Sequence, residues 1–341
     1  MAKRRGCWPP LAETLDEEGT MICQSTRSRW SRATAPRAVA VAAALSLVAL
    51  SACTEGPAPS SGGDTGAQPG GANTTGVDLN TLTVDQAAAD KLPERVKQAK
   101  KVTVVMNVSS APTKFRAEDN TTIVGLNPDI AQALGKLLGV EVTISDVQFD
   151  GIIPGLQSKR YDMAVSSMAP SAERIKVLDM VRYGAWGTSL AVQQGNAKKL
   201  TTKNLCGASV AVQQGSIQHT QRLPELSDGC TKEGKPAINQ VVLPDQTAAI
   251  LQLTTGRIDA VLADSPILAW AAKQRPGTIE LVDEMNKGAV DIALPKDSDL
   301  TPAVQAAMQT LIQRPEYQQI YAKWGMDNAV VTEAVKETGS A

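Results

Sequence analysis

Histidine is nearly absent from this sequence of 341 residues, in which His219 is the only one. A histidine zinc site needs several imidazoles at ligand spacing, and a His-based triad depends on an imidazole beside a nucleophile. His219 alone gives no material for either. We therefore expect no histidine zinc site and no His-based triad, and we expect the protein to hold no metal and no cofactor.

An excess of charge of one sign is also missing. The chain has 34 Lys and Arg residues against 35 Asp and Glu residues, a formal net charge of −1. No basic stripe interleaved with aromatic residues follows the chain, so we expect no nucleic-acid partner. Hydrophobic residues make up 43% of the chain, which at this length is enough for one large core or two moderate ones.

Long hydrophobic runs are limited to one stretch, AVAVAAALSLVALSA at residues 38–52. Its roughly 15 residues fall short of the roughly 20 that a membrane-spanning helix needs. No acidic residue lies close before it, and four basic residues do: Arg27, Arg29, Arg32 and Arg37. A basic segment followed by a short apolar segment is typical of an export signal.

The apolar run ends in Leu50-Ser51-Ala52-Cys53, which resembles the bacterial lipobox. The resemblance implies that Cys53 is lipidated and becomes the mature N-terminus, and an ordinary signal peptide with an incidental cysteine is the alternative. We expect residues 1–52 to be removed and the protein to be extracytoplasmic, anchored by lipid to the outer face of the cell membrane. Acidic residues and prolines in Met1–Thr20 are foreign to an export signal, so Met21 is an alternative start.

Cysteine is scarce, with five in the chain. Cys7 and Cys23 leave with the signal and Cys53 is the lipidation site, so Cys206 and Cys230 remain. A pair of cysteines in an oxidising compartment predicts a disulfide. Two buried thiols or a metal pair are the alternatives. A closed loop of about 25 residues would stabilise the fold by roughly 3 to 4 kcal/mol.

Residues 53–80 are rich in Gly, Ser, Pro and Thr and poor in apolar side chains, which predicts a flexible lipidated tether. The rest of the chain alternates short β-branched runs with helical periodicity, a pattern that favours an α/β fold. Strands are predicted at 102–106, 140–144, 162–166, 188–193, 208–213, 258–263 and 289–294. Helices are predicted at 128–138 after an Asn127 cap, 150–158, from about 216, 245–256, 299–312 and 315–324.

Five segments occur in an order and at distances typical of one family. They are GLNPDIAQALGKLLGVEV, FDGIIPGLQSKRYDMAVSSMAPSAERIKVLD, LCGASVAVQQGS, GRIDAVLADSP and YAKWG. Together they resemble the polar amino-acid group, family 3, of the solute-binding proteins of ATP-driven importers. The resemblance covers essentially all of residues 98–330.

The resemblance implies an α/β, two-lobed, periplasmic-binding-protein-like fold of type II. Lobe 1 would comprise residues 81–188 and 290–341, and lobe 2 would comprise 189–289. Two hinge strands would join the lobes near Thr188–Val192 and Ala289–Leu294. Ligand would bind in the cleft and favour closure, because some contacts exist only when both lobes touch it.

The resemblance also implies a site for the two charged ends of an amino acid. Arg174 matches the family position whose guanidinium binds the ligand α-carboxylate, and a surface arginine paired with a neighbouring acid is the alternative. Asp264 follows a predicted strand and matches the position that receives the ligand ammonium group, with helix capping as the alternative. The N–H groups of Gly215 and Ser216 would complete the carboxylate site, or these residues form a plain turn.

The remaining predicted ligand-binding residues are Ser167, Ala169, Ser171, Phe149, Asn107 and Gln213. Family members usually offer a threonine hydroxyl where this chain has Ala169, and Ser171 partly restores it. Residues 107–112 have no aromatic ring where relatives commonly stack one or two. Phe149 alone matches a pocket aromatic, with a place in the core as its alternative. These departures leave recognition of the amino-acid head group in place and alter the side-chain pocket.

By this resemblance the chain is a monomeric lipoprotein, not an enzyme, that captures a small amino acid and delivers it to the permease subunits of an ABC importer. An enzyme similar to the cyclohexadienyl dehydratases is an alternative, and it needs an acid such as Glu173 or Asp264 to protonate a leaving hydroxyl. A ligand sensor for a membrane receptor is a second alternative. A purely structural lipoprotein would leave Arg174 and Asp264 unexplained.

Overall fold

The computed structural model describes residues 77–338. The predicted export signal, the lipidation site Cys53, both candidate start residues and most of the tether lie outside this range. Within it, no helix combines the length and the apolar character that crossing a membrane requires.

The described chain contains ten strands and ten α-helices. The strands are β1 (Lys101–Met106), β2 (Phe115–Arg116), β3 (Ile123–Val124), β4 (Glu141–Asp146), β5 (Met163–Met168), β6 (Leu178–Gln193), β7 (Ser209–Gln213), β8 (Asn239–Leu243), β9 (Ala260–Asp264) and β10 (Ile279–Pro295). The helices are α1 (Gln86–Ala89), α2 (Glu94–Ala99), α3 (Leu126–Leu138), α4 (Ile152–Gln157), α5 (Ala172–Val177), α6 (Leu223–Lys232), α7 (Gln246–Thr254), α8 (Ser265–Gln274), α9 (Thr301–Ile312) and α10 (Pro315–Lys323).

Eight of the strands form one sheet in the order β4-β1-β5-β10-β6-β9-β7-β8, and β2 pairs with β3 separately. β1 is parallel to β4 and β5, and β7 is parallel to β8 and β9. β6 and β10 pair with each other in the antiparallel direction along nearly their whole length. They therefore join two half-sheets, each of which is built from parallel strands and crossover helices.

Two groups of apolar side chains give the fold its two lobes. In the first lobe, Val104 of β1 packs into one cluster and Val105 into another, because successive side chains point to opposite faces of the strand. In the second lobe, Val210 of β7 and Ala211 divide in the same way between two further clusters. Burial on both faces explains the nearly continuous apolar runs that the sequence shows at these strands.

The strands β6 and β10 pass from one lobe to the other. In β6, Trp186 still belongs to the core of the first lobe, whereas Leu190 belongs to that of the second. In β10 the change falls between Met285, which packs against the second lobe, and Val290 in the first. Residues near both predicted hinge segments therefore lie where the chain crosses between the cores.

Most predicted elements are present with ends displaced by one to three residues. Gly139 ends α3 in the left-handed conformation, at φ 66°, and the Asp245 side chain accepts the N–H of Ala248 to cap α7. The prediction that Asn127 caps α3 is wrong. Gly125 occupies the cap position, and Asn127 lies fully buried within the helix.

The predicted disulfide joins Cys206 to Cys230, with an S–S distance of 2.08 Å. Cys230 lies in α6 and is buried in a core cluster of the second lobe, against which Cys206 packs. The bond therefore fixes the segment before β7 to the helix that follows it.

Candidate functional site

A cavity of about 190 Å³ lies where the chain crosses between the two cores. Four charged side chains line it: Lys114, Arg174, Arg222 and Asp264. Amide side chains line it as well: Gln213, Gln218, Gln246 and Asn286. The rings of Phe149 and Trp186 provide apolar walls, and the hydroxyl groups come from Ser166, Ser167, Thr188 and Ser216.

Arg174 is the third residue of α5. The Ser171 hydroxyl oxygen caps the start of this helix and accepts the Arg174 N–H at 3.3 Å. The Arg174 side chain is only 7% exposed. The guanidinium donates to the Ala169 carbonyl at 2.6 Å and to the Gly215 carbonyl at 2.9 Å, and lies 5.8 Å from the centre of the Phe149 ring. Burial lowers the pKa of Arg174 to about 10, against the opposing charges of Asp264 and Glu173.

The alternative of a surface arginine paired with an acid does not describe this geometry. Within residues 77–338, no carboxylate oxygen lies within 4.0 Å of the Arg174 guanidinium. A guanidinium has five N–H donors, and the two carbonyls use two of them. The buried cation therefore keeps donors for an anion in the cavity.

Asp264 ends β9, at the carboxyl edge of the half-sheet, and is 8% exposed. One of its carboxylate oxygens accepts a hydrogen bond from Gln218 Nε2 at 2.8 Å. Asp264 occupies the N-cap position of α8, as the capping alternative expects, but its side chain makes no capping hydrogen bond to the helix. Burial raises the pKa of Asp264, opposed most strongly by the positive charge of Lys114.

Arg174 and Asp264 line the same cavity without forming an ion pair with each other. A buried cation and a buried anion that do not contact each other directly each carry a desolvation cost. A zwitterion that fits between them would satisfy both. This arrangement can therefore recognise the two charged ends of an α-amino acid.

A chain of amide groups connects the two lobes beside the cavity. Gln213 donates from Nε2 to Asn107 Oδ1 at 2.8 Å, and its Oε1 accepts from Gln246 at 3.3 Å. Gln246 Oε1 in turn accepts the backbone N–H of Asp264 at 3.2 Å. The network orients Gln246 and holds the end of β9 in place.

Ser167 has a left-handed backbone conformation, at φ 57°, directly after the middle of β5. Its N–H donates to the Tyr183 hydroxyl at 3.2 Å, and its own hydroxyl oxygen accepts from Asn127 Nδ2 at 3.1 Å. Tyr183 donates its hydroxyl hydrogen to Asn127 Oδ1 at 2.9 Å. The buried Asn127 thus supports the end of β5 that carries Ser167 to the cavity.

The cavity wall contains seven of the predicted ligand-binding residues: Phe149, Ser167, Ala169, Arg174, Gln213, Ser216 and Asp264. Three others stand behind it. Ser171 caps α5, Asn107 accepts from Gln213, and the carbonyl of Gly215 accepts from Arg174. Direct contact with a ligand is therefore not supported for these three in this conformation.

The two backbone N–H groups that were expected to complete the carboxylate site have partners within the protein. Gly215 donates its N–H to His219 Nδ1 at 3.1 Å, and Ser216 donates its N–H to the Gln213 carbonyl at 3.2 Å. Both donors are used within the turn itself. Arg174 is therefore the better-placed group for a carboxylate.

Several residues of the cavity wall are not among the predicted ligand-binding residues, and Trp186 and Lys114 are two of them. Trp186, 6% exposed, is a second aromatic residue of the cavity wall, in addition to Phe149. Lys114 is 3% exposed, although lysine is among the least often buried residue types. Burial lowers the pKa of Lys114 to about 8, and the charge of Asp264 opposes this shift.

Metal ligands are not gathered here. Within residues 77–338, no group of three or more His, Cys, Asp or Glu side chains is arranged to hold a metal ion. His219 instead accepts the Gly215 N–H, which gives the single imidazole a structural partner.

Comparisons with known proteins agree with the geometry. Arginine-binding protein ArgT of Corynebacterium glutamicum is 33% identical over 245 residues, which cover 72% of this chain and 80% of that protein. L-cystine-binding protein TcyJ of Escherichia coli is 27% identical over 247 residues, covering 71% and 89% of the two chains. The solved structure of an ancestral arginine-binding protein bound to arginine has a TM-score of 0.60 at 29% identity, covering 66% of this chain and 98% of that one.

The match extends to a whole family. Residues 102–327 match the family described as bacterial extracellular solute-binding proteins, family 3. This range contains both lobes' core strands and every charged residue of the cavity wall. The resemblance drawn from the five sequence segments is confirmed, and the chain belongs to the bacterial extracellular solute-binding proteins of family 3.

Proposed function

We propose that this protein captures an amino acid in the cavity between its lobes and delivers it to the permease subunits of an ABC importer. The observation that carries the proposal is the pair of buried, mutually unpaired charges, Arg174 and Asp264, that line one cavity. Relatives named for binding arginine and cystine support an amino-acid ligand.

The guanidinium of Arg174 would bind the ligand α-carboxylate with the donors that the two carbonyls leave free. The carboxylate of Asp264 would accept from the α-ammonium group, because Gln218 occupies only one of its oxygens. Both contacts take place away from water, where charge-assisted hydrogen bonds are strongest. Head-group recognition would thus be shared between the two lobes.

Closure of the lobes would accompany binding. Hydrogen bonds that cross between the lobes include those of Arg174 to Gly215 at 2.9 Å, Gln213 to Asn107 at 2.8 Å, Gln214 to Asp150 at 2.7 Å and Gln221 to Glu173 at 2.9 Å. A ligand that contacts both lobes adds to these bonds only in the closed form, and so shifts the equilibrium towards it. We assign residues 81–188 and 290–341 to lobe 1 and residues 189–289 to lobe 2.

The protein would act at the outer face of the cell membrane as a monomer, held there by a lipid on Cys53 and the tether of residues 53–80. A radiolabelled fatty acid supplied to expressing cells tests the anchor. Label is expected on the wild type and not on Cys53→Ala, and equal labelling of both would contradict lipidation at this residue.

A catalytic role for the cleft is not favoured. Glu173, one of the two candidate acids, is exposed, accepts a hydrogen bond from Gln221 and does not line the cavity. Asp264 is then left without a second acid to divide the work of general acid and base. The proposal is therefore of a binding protein without catalytic activity.

Arg174→Ala tests the proposed function directly. The purified protein is titrated by calorimetry with the common amino acids, and Arg257→Ala, which removes an exposed arginine outside the cavity wall, is the matched control. We expect Arg174→Ala to abolish binding of every amino acid that the wild type and the control bind. Binding that survives the loss of Arg174 would refute the proposed role.

A further inference from the structure

Lys114 is a buried cation for which the zwitterion head group supplies no partner. Its ammonium nitrogen lies 3.3 Å from Thr113 Oγ1 and 3.5 Å from Ser167 Oγ, both uncharged acceptors at long distance. Within the described part of the chain, no carboxylate oxygen comes within 4.0 Å of it. A buried ammonium that no carboxylate contacts directly is unfavourable, and groups perturbed in this way cluster at functional sites.

The backbone fixes this lysine in the cavity wall. Ser110 and Lys114 exchange two hydrogen bonds, from Ser110 N to the Lys114 carbonyl at 2.8 Å and from Lys114 N to the Ser110 carbonyl at 3.0 Å. Gly125 packs so closely on the turn that a Cβ there would lie 2.4 Å from the Thr113 carbonyl oxygen. The short turn cannot move outward without breaking these contacts, so the ammonium group is already positioned at the cavity.

The charges of the cavity wall do not balance. Asp264 is the only acidic residue among the described residues that line it, against Lys114, Arg174 and Arg222. Arg222 is 31% exposed and lies 3.6 Å from the carboxylate of Glu225, so solvent and a partner account for its charge. The α-carboxylate of a bound amino acid neutralises the charge of Arg174, and its α-ammonium group neutralises the charge of Asp264. One buried positive charge, that of Lys114, is left over.

We infer that Lys114 binds an anionic group on the side chain of the ligand, so that the cavity takes an acidic amino acid. The inference rests on the proposed function, because the count assumes that Arg174 and Asp264 hold the head group. It also separates this chain from the relatives named for arginine. The guanidinium of an arginine ligand would enter beside Lys114, with no second carboxylate among the described lining residues to receive it.

The test compares ligands that differ in one group. L-glutamate and L-glutamine have the same head group and nearly the same shape, and differ in the charge at the end of the side chain. Both are titrated by calorimetry into the wild type, Lys114→Met and Lys114→Gln, together with L-aspartate, L-asparagine and L-arginine. Lys273→Met is the matched control, because it removes an exposed lysine that does not line the cavity.

We expect the wild type and the control to bind glutamate or aspartate at least about 10-fold more tightly than the corresponding amide and than arginine, as a charge-assisted hydrogen bond requires. Either Lys114 variant should remove most of this preference while the affinity for the amide changes less than about threefold. Two neutral replacements guard against one of them folding poorly.

Tighter binding of arginine than of any acidic amino acid would overturn the inference, as would a glutamate-to-glutamine ratio that the Lys114 variants leave unchanged. The proposed function would survive either result, because an amino acid would still be bound through Arg174. A wild type that binds none of the five ligands would overturn both.

Discussion

Replacing Lys114 with methionine should make the ligand-free protein more stable. Burial lowers the pKa of Lys114 from 10.5 to about 8. At about 1.36 kcal/mol per pKa unit, holding this group charged in the folded state costs about 3 kcal/mol at neutral pH. Methionine keeps the length of the apolar stem and carries no charge, so most of this cost should disappear.

Asp264 sets a limit on the gain. The charge of Lys114 favours the ionised form of Asp264, and that support is lost in the variant. We therefore expect the free energy of unfolding to rise by about 1 to 3 kcal/mol at pH 7. Urea denaturation of protein refolded free of ligand measures this value. Lys273→Met, the exposed control, should change it by less than about 0.5 kcal/mol.

The pH dependence of the gain identifies its cause. A cation whose folded pKa is lowered binds fewer protons in the folded than in the unfolded state, so wild-type stability rises with pH between about 8 and 10.5. The difference in the free energy of unfolding between Lys114→Met and the wild type should therefore become smaller between about pH 8 and pH 10.5. A destabilised variant, or a difference that stays constant from pH 7 to pH 10.5, would refute the assignment of a buried charge penalty to Lys114.

Further predictions concern the ligand and the fold. Asp264→Asn should weaken L-glutamate binding by about 10- to 100-fold and should affect binding of the keto-acid analogue 2-oxoglutarate far less. The reason is that only the amino acid has an ammonium group for this carboxylate to accept from. Calorimetry that shows equal losses of affinity for both ligands would count against ammonium recognition. The ratio of glutamate affinity to glutamine affinity should fall as the pH rises through about 8, because an anionic ligand side chain needs the protonated form of Lys114. Glutamine is the reference because it has the same head group, whose titration affects both ligands equally. A ratio that does not change with pH would contradict the role of Lys114. Replacing both Cys206 and Cys230 with serine opens a loop with a sequence separation of 24 and should lower the free energy of unfolding by about 3 kcal/mol. Urea denaturation measures this loss, and reduced wild type is the control. A loss below about 1 kcal/mol would show that other contacts hold the loop in place.

Local signals in the sequence predict the short elements well. The Asp245 cap, the left-handed Gly139 and the β-branched run of β1 each act within a few residues, so the sequence alone reveals them. The sequence predicts only part of the long strands β6 and β10. Their pairing joins residues about 100 positions apart, for example Ile292 with Val181. A local sequence pattern cannot predict a partner at such a distance along the chain.

Asn127 shows how a local rule fails. An asparagine directly before proline is typical of a helix start. Here the helix begins earlier, at Leu126 after Gly125, and the Asn127 side chain is buried against Ser167 and Tyr183. Tertiary hydrogen bonds to two partners outweigh a single capping bond at the helix end.

Only part of the candidate site can be predicted from the sequence, because some of its residues come together only through tertiary contacts. The segments around Arg174 and Asp264 carry the family resemblance, so their place in one cavity followed from it. Lys114 stands between Thr113 and Phe115 in a stretch that has no helical or strand periodicity. Its burial arises from the turn at Ser110 and from the end of β5 at Ser167, which come together only in the fold.

A crystal structure of the wild type with bound L-glutamate tests the central claim most directly. The account predicts the α-carboxylate within about 3 Å of the Arg174 guanidinium, the α-ammonium within about 3 Å of the Asp264 carboxylate, and the side-chain carboxylate on the Lys114 ammonium. A ligand bound outside this cavity, or one whose head group contacts neither Arg174 nor Asp264, would contradict it.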